Sequence, residues 1–504
     1  MKIVNPVQCL FVALAMVLFA GASSPATAQG TMKGELDEGR SGTVRFFGSR
    51  SADLFTREIT ESFRGVLRQN FIREAGGPMP PGFVQASLPG MPWSGTMWTR
   101  DGGTFMRELV QWGYLEHAVM LSDCLIGLVR KNVDGYYSFP EHFDGSKPGT
   151  GSELDGTASI IVGMAALWER LPKGDPARQR IHDFLTGPAS PVAFIRHRLK
   201  AQPLIAGSGE FGPGCFLPGE AINVVQNGLV LLALESAAFV SEGSGDKTGA
   251  GTLRDLAKKI ADAMLGKLVD AEGRWIWCID PQSFKPDPAI IDNEINRGFG
   301  GLNGVASMRA DVLGFEPLAA KDRFALPSEK TFDSLYNTPL RKQQFDKYGI
   351  WTQFDSYRAG LATSPSYGQC YAVQTMLLFD KLDPAGKGLD WLATATYDLV
   401  PGYKLPRESP YYFHEQMFSP DAAGKIPFDV GCGALNLVNV TEPLKVARLV
   451  LGVDDTSPKV VRLVPRLIPS WSGVEATNWP ILTAKGVVHA DILVERRGLG
   501  TKLT

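Results

Sequence analysis

The chain reads as a mainly α-helical body followed by a small β-rich tail. Three observations carry that expectation. Apolar residues recur at helical spacing through most of residues 52–451, Gly- and Pro-rich loops separate those stretches, and the pattern turns strand-like after residue 452.

Taken in order, helical stretches are expected near 52–71, 103–113, 115–131, 157–171, 176–186, 190–200, 221–240, 251–269, 293–313, 366–381, 388–398 and 431–442. Phe105, Met106, Leu109 and Trp112 fall on one helical face, as do Leu253, Leu256, Ile260 and Met264. Val224 to Leu234 is apolar nearly all round, so that helix should have neighbours on every side. Such a series fits a double ring of helical hairpins, an irregular helical enzyme or a helical repeat array. The absence of a fixed sequence period counts against the array. In the tail, 460–464, 486–494 and the Pro/Trp-rich piece between them read as short strands that lean on the helical body.

The first 28 residues read as a signal peptide. Lys2 is the basic end, Cys9 to Gly21 the apolar run, and Ala26-Thr27-Ala28 the cleavage site, so the mature chain should begin at Gln29 in the periplasm or outside the cell. An uncleaved anchor is the competing reading, but the apolar run is short for a membrane span. The expected division is therefore 1–28 signal peptide, 29–452 helical body and 453–504 β-rich appendage.

With 51 Lys and Arg against 53 Asp and Glu, the near-neutral charge gives no reason to expect nucleic acid or an anionic membrane as partner. Cysteines are scattered, without a Cys-x-x-Cys or His/Cys cluster of zinc-binding spacing. No metal is expected.

Three segments have residues suited to chemistry. In Trp98-Thr99-Arg100-Asp101, the guanidinium of Arg100 and the carboxylate of Asp101 suit a pair of sugar hydroxyls, and Trp93 or Trp98 offers a flat face for a pyranose ring. The competing reading makes Asp101 a helix N-cap. Glu415 sits in Tyr411-Tyr412-Phe413-His414-Glu415-Gln416, where aromatic neighbours would raise a carboxyl pKa toward proton transfer; the competing reading is a surface glutamate. Glycoside hydrolysis needs a second carboxyl, for which Glu153, Asp155, Glu210 and Glu220 are candidates. Glu220 precedes the buried helix, and a helix-dipole role competes there. Glu141-His142 and Asp292-Asn293-Glu294 are further polar spots.

These segments together resemble the six-hairpin glycosidase superfamily. Trp98-Thr99-Arg100-Asp101 is similar to the Trp-Thr-Arg-Asp segment of glucoamylase-like members, and Glu153-Leu154-Asp155-Gly156-Thr157-Ala158 to their Gln-Arg-Asp-Gly-Pro-Ala. Tyr412-Phe413-His414-Glu415-Gln416 resembles the segment of their catalytic base. Order and broad spacing agree up to about residue 450, and the tail, with Val464-Pro465-Arg466 and Trp471, is similar to rhamnosidase-like members. The resemblance implies an (α/α)6 toroid that acts on a carbohydrate, exo-acting and inverting, with no obligatory cofactor. It implies Arg100 and Asp101 at the terminal sugar, with Glu153, Asp155, Glu210 and His414 around it, and Glu415 as base. The family's Trp-Glu-Glu acid segment is absent; Glu210 and Glu220 occupy that region, and Glu220 is preferred as acid.

Two other functions stay open. A polysaccharide lyase would use Tyr411 or Tyr412 with His414, although no basic cluster awaits an anionic polymer. A catalytically silent sugar-binding protein would keep the cleft without the acid.

Overall fold

The computed structural model describes residues 41–207, 221–269, 278–285, 367–378, 380–398, 435–457, 460–497 and 500–503, with a few isolated positions including Phe413. The expected signal peptide and the expected helix at 293–313 lie outside the described residues.

Helix α1 (Arg50–Gly65) starts where the Ser49 side chain accepts the Ala52 N–H, and it buries Ala52, Phe55, Ile59, Ser62 and Phe63 at helical spacing. It runs into a π-helical turn, Val66–Asn70. The helices that follow are α2 (Thr99–Gln111), α3 (Leu115–Leu128), α4 (Leu154–Arg170), α5 (Pro176–Thr186), α6 (Pro191–Arg198), α7 (Val224–Gly243) and α8 (Lys247–Lys267). Then come α9 (Tyr367–Leu378), α10 (Leu382–Asp398) and α11 (Leu437–Leu451).

Packing sorts them into two layers. Helices α9, α11, α2, α4 and α7 stand side by side in that order, forming an arc of inner helices. Outside them, α10 covers α9, α1 lies across α10 and α11, α3 covers α2, α5 and α6 cover α4 and α7, and α8 covers α7. Nearly every residue of α4 and α7 is buried, as the unbroken apolar pattern of Val224 to Leu234 required. Helix α7 has the length and composition to cross a membrane, yet 94% of its most apolar window is buried inside the protein, so it packs as core.

Two glycines set the closeness of α2 and α4. A Cβ on Gly103 would come within 2.5 Å of the Ile160 backbone nitrogen, and one on Gly163 within 2.6 Å of the Gly103 carbonyl oxygen. The helices therefore meet backbone to backbone, which brings their N-termini together.

Helix α11 corrects a sequence expectation. The 431–442 reading stopped before Pro443, but the helix runs from Leu437 to Leu451 with Pro443 inside it. Proline costs one backbone hydrogen bond there, and the surrounding burial outweighs the loss. Asn436 caps the start through the Val438 N–H, and Gly452 ends the helix in the left-handed conformation.

The tail forms a hairpin of β5 (Val453–Ser457) and β6 (Val460–Leu463), then the longer strands β7 (Gly473–Thr483), β8 (Gly486–Arg497) and β9 (Gly500–Leu503). Earlier strands are β1 (Thr43–Phe47), β2 (Thr96–Trp98), β3 (His142–Asp144) and β4 (Lys147–Pro148). Strand β1 pairs with β7, making a four-stranded antiparallel sheet ordered β1-β7-β8-β9. The Pro/Trp-rich piece expected to give short strands is one strand of 11 residues, kept continuous by a register shift between Ala476 and Trp479. Phe46, Phe55 and Trp471 pack together where the sheet meets α1, with Phe46 and Trp471 ring centroids 4.7 Å apart.

The sheet is also fastened to the C-terminal ends of α2 and α4. Trp112 meets Trp479 edge-on at 4.9 Å, and buried Arg170 donates to Asp455 at 2.6 Å, whose carboxylate also accepts the Leu482 N–H. Beside this joint, burial raises the carboxyl of Glu169 from 4.5 to about 7, with Asp455 adding to the rise and Arg170 and Arg178 opposing it. A raised carboxyl holds a proton that the unfolded chain releases, so stability falls as pH climbs from about 4.5 to about 7 and the penalty is complete above that. Glu169→Gln is therefore expected to stabilise the protein by about 1–3 kcal/mol at pH 8 and to have little effect at pH 4. Melting curves at both pH values check this; an equal shift at both would contradict it.

Candidate active site

Strand β2 turns directly into α2, placing Trp98 at the N-cap position, with no capping side chain. Position 99 is held instead by the connection ahead of α4. The Thr99 N–H donates to the Glu141 carbonyl at 3.0 Å, and its hydroxyl to the Pro140 carbonyl at 2.6 Å. The same connection is stitched to α4: the Phe139 N–H donates to Thr157 Oγ1 at 3.0 Å, and the Glu153 N–H to the Phe139 carbonyl at 2.8 Å. A Cβ on Gly156 would collide with Thr99 Oγ1. Residues 139–142 thus pin the starts of two inner helices against each other.

The consequence is a clasp. Arg100 Nε lies 3.5 Å from Asp101 Oδ1, and Arg100 Nη1 lies 3.5 Å from Asp155 Oδ2. Asp155 also accepts the Gly156 N–H at 3.1 Å. Each carboxylate sits in the first turn of its helix, where the backbone dipole favours negative charge. Side-chain exposure is 17% for Arg100, 6% for Asp101 and 0% for Asp155. Arg100 is the most exposed member of the three, and both carboxylates face its guanidinium.

This geometry excludes one competing reading and locates the other candidates. Asp101 is the third residue of α2 and not its cap, because the helix begins at Thr99. Asp155, expected beside the sugar, is wholly buried, with its Oδ2 facing Arg100. Glu153 occupies the N-cap position of α4 without capping it, and is half-buried near Gly156 and Thr99. Trp98 is half-buried and packs edge-on against Trp93. His142, on β3 directly across from Trp98, adjoins this cluster; only the strand pairing reveals that role.

Glu415, His414, Glu220 and Glu210 lie outside the described residues. Phe413, two positions before Glu415, is buried with its ring 5.8 Å from that of Phe55. Among the described residues, no group of three or more His, Cys, Asp or Glu is placed to hold a metal ion.

No protein-family model and no curated protein sequence matches the chain. Solved structures do. It is similar to a GH78 family rhamnosidase of Bacillus sp. GL1, with TM-score 0.57 and 14% identity over 92% of this chain and 41% of that one. It is similar to an α-L-rhamnosidase from Dictyoglumus thermophilum, with TM-score 0.54 and 11% identity over 91% of this chain and 43% of that one. A glucoamylase from Saccharomycopsis fibuligera gives TM-score 0.52 and 13% identity over 80% of this chain and 96% of that one. The chain thus spans about two fifths of the length of the two rhamnosidases. The fold is the six-hairpin (α/α)6 glycosidase fold, a mainly α toroid with a small β appendage.

Proposed function

We propose that the protein is an exo-acting, inverting glycoside hydrolase, exported to the periplasm or secreted after cleavage behind Ala28. The observation that carries the reading is the clasp of Arg100, Asp101 and Asp155, held at the adjoining starts of two inner helices in a fold that glycosidases use.

In this mechanism the terminal sugar lies against Arg100, whose donors hold its hydroxyls. Glu415 takes a proton from a water molecule as that water attacks the anomeric carbon from the face opposite the leaving group. Glu220 gives its proton to the glycosidic oxygen as the carbon–oxygen bond breaks, with Glu210 and Glu153 as the alternative acids. Inversion requires the two catalytic carboxyls to stand roughly 6.5–9.5 Å apart, leaving room for the water. The Arg100 guanidinium and the buried acids beside it suit an uncharged sugar terminus. No cofactor takes part in these steps.

A panel of chromogenic α- and β-glycosides tests the reading, with α-L-rhamnosides and α-D-glucosides included because the structural neighbours are named for them. Hydrolysis of a member, with a product of inverted anomeric configuration by NMR, is the expected result. Retention of configuration would remove the inverting mechanism, and an ultraviolet-absorbing unsaturated product would replace hydrolysis by elimination.

A further inference from the structure

Beyond the clasp, the structure points to a second sugar-binding surface: we propose that the ledge of Trp93, Trp98, His142, Glu141 and Asp144 receives the leaving-group sugar and selects an uncharged one. The proposal rests on the glycosidase reading and adds to it the chemistry of the leaving group.

The ledge is built by the three-stranded sheet β2-β3-β4. Register pairs Trp98 with His142 and Thr96 with Asp144. The ring centroids of Trp93 and Trp98 are 5.2 Å apart at 73°, and those of Trp98 and His142 are 5.1 Å apart at 58°. Three rings thus form a cornered apolar wall whose ends are Trp93 and His142. A pyranose ring presents C–H groups on its face, and these pack against aromatic rings, while its hydroxyls point outward around the rim.

Hydroxyl acceptors stand at the end of that wall. His142 Nε2 is 3.5 Å from Asp144 Oδ2, and Nδ1 is 4.0 Å from Glu141 Oε2. Asp144 is fixed by the Thr96 hydroxyl, which donates to its Oδ1 at 2.7 Å. The side chains of His142, Glu141 and Asp144 are 27%, 51% and 63% exposed. Exposure therefore rises from the recessed clasp to the ledge, along covalently adjacent residues: Trp98 next to Thr99 and Arg100, and Glu141 bound through its carbonyl to Thr99. A terminal sugar at the clasp places the following unit over this surface.

Charge sets the selection. Glu141 and Asp144 stand exposed beside His142, against Lys147 paired with Asp144 on β4 and Arg100, whose guanidinium already faces two carboxylates. A uronate or phosphate there would meet like charge, whereas a neutral hydroxylated ring meets acceptors.

The test compares two substrates sharing the glycone that scores in the panel: its glycosyl fluoride, whose leaving group is one atom, and a neutral disaccharide. Trp93→Ala and His142→Ala are expected to lower kcat/KM on the disaccharide by about 10- to 100-fold and to leave the fluoride within about 3-fold. His142→Phe, which keeps an apolar ring, should recover most of the loss. The unmodified protein should cleave the uronate-bearing analogue of the disaccharide at least about 10-fold more slowly. Equal losses on both substrates would overturn the proposal, since they would mean the ledge only supports the clasp; so would no loss on either. If no glycoside is cleaved at all, the hydrolase reading fails and binding decides the ledge. Quenching of tryptophan fluorescence by maltose or a rhamnose-terminated disaccharide, weakened in Trp93→Phe and His142→Ala, would uphold it. Absence of quenching in the unmodified protein would overturn it.

Discussion

Arg100→Ala should lower kcat/KM on the cleaved glycoside by about 100- to 10,000-fold. The loss has two sources. The substitution removes the clasp's guanidinium donors, and it leaves Asp101 and Asp155 at the helix starts without the group that faces both at 3.5 Å. Hydrogen bonds to charged groups contribute about 1.5–3 kcal/mol each, and more where charge develops in a water-poor site. Arg100→Lys should recover only part of the activity, because an ammonium cannot present two donors in the fork geometry. Steady-state kinetics with melting curves separate the effects: a variant that melts lower but turns over normally would remove Arg100 from the site. Asp155→Asn gives a second readout, since it keeps the shape of the buried side chain while weakening its hold on Arg100.

The largest loss of stability is expected from Lys445→Met. Lys445 and Glu442 are each 2% exposed on α11, and their charged groups are 2.7 Å apart. Glu442 also accepts from Gln374 of α9 at 2.8 Å. Glu58 of α1 shares this core: it is wholly buried, its carboxylate oxygens accept no hydrogen bond among the described residues, and burial holds its carboxyl well above the usual range. The same core pushes up the Cys370 thiol, through burial first and the Glu442 charge second. Removing the ammonium takes from buried Glu442 a counter-charge 2.7 Å away, which costs about 3–5 kcal/mol. Adding Glu442→Leu to the Lys445→Met background should restore most of that loss, because an apolar pair is tolerated where half an ion pair is not. Denaturant midpoints test both; a single variant as stable as the parent would contradict a stabilising Lys445–Glu442 pair.

How legible this molecule was in its sequence varies with the range of the interaction. Helices α3 and α5 begin within a residue of expectation, since periodic apolar positions and a local Asp175 cap define them. The extent of α11 past Pro443 was not legible, because the packing around that proline comes from α9, α1 and α2, distant in sequence. The β7 strand was read as fragments, because its register shift and its partner β1, over four hundred positions earlier, leave no local mark. At the candidate site, Arg100 and Asp101 were legible as an adjacent cation and anion at a helix start. Asp155 was legible as a residue but not as the buried support of Arg100, which depends on the glycine contact between α2 and α4. His142 was indistinct for a similar reason: it gains significance only from facing Trp98 across a strand pair.

In the proposed mechanism a water molecule activated by Glu415 cleaves a sugar held at the Arg100 clasp. Its most direct test is the turnover number of Glu415→Gln on the glycoside that the unmodified protein cleaves, with melting temperature recorded alongside. A fall of about 100- to 10,000-fold is expected, with the melting temperature essentially unchanged; turnover at the level of the unmodified protein would contradict the role of Glu415.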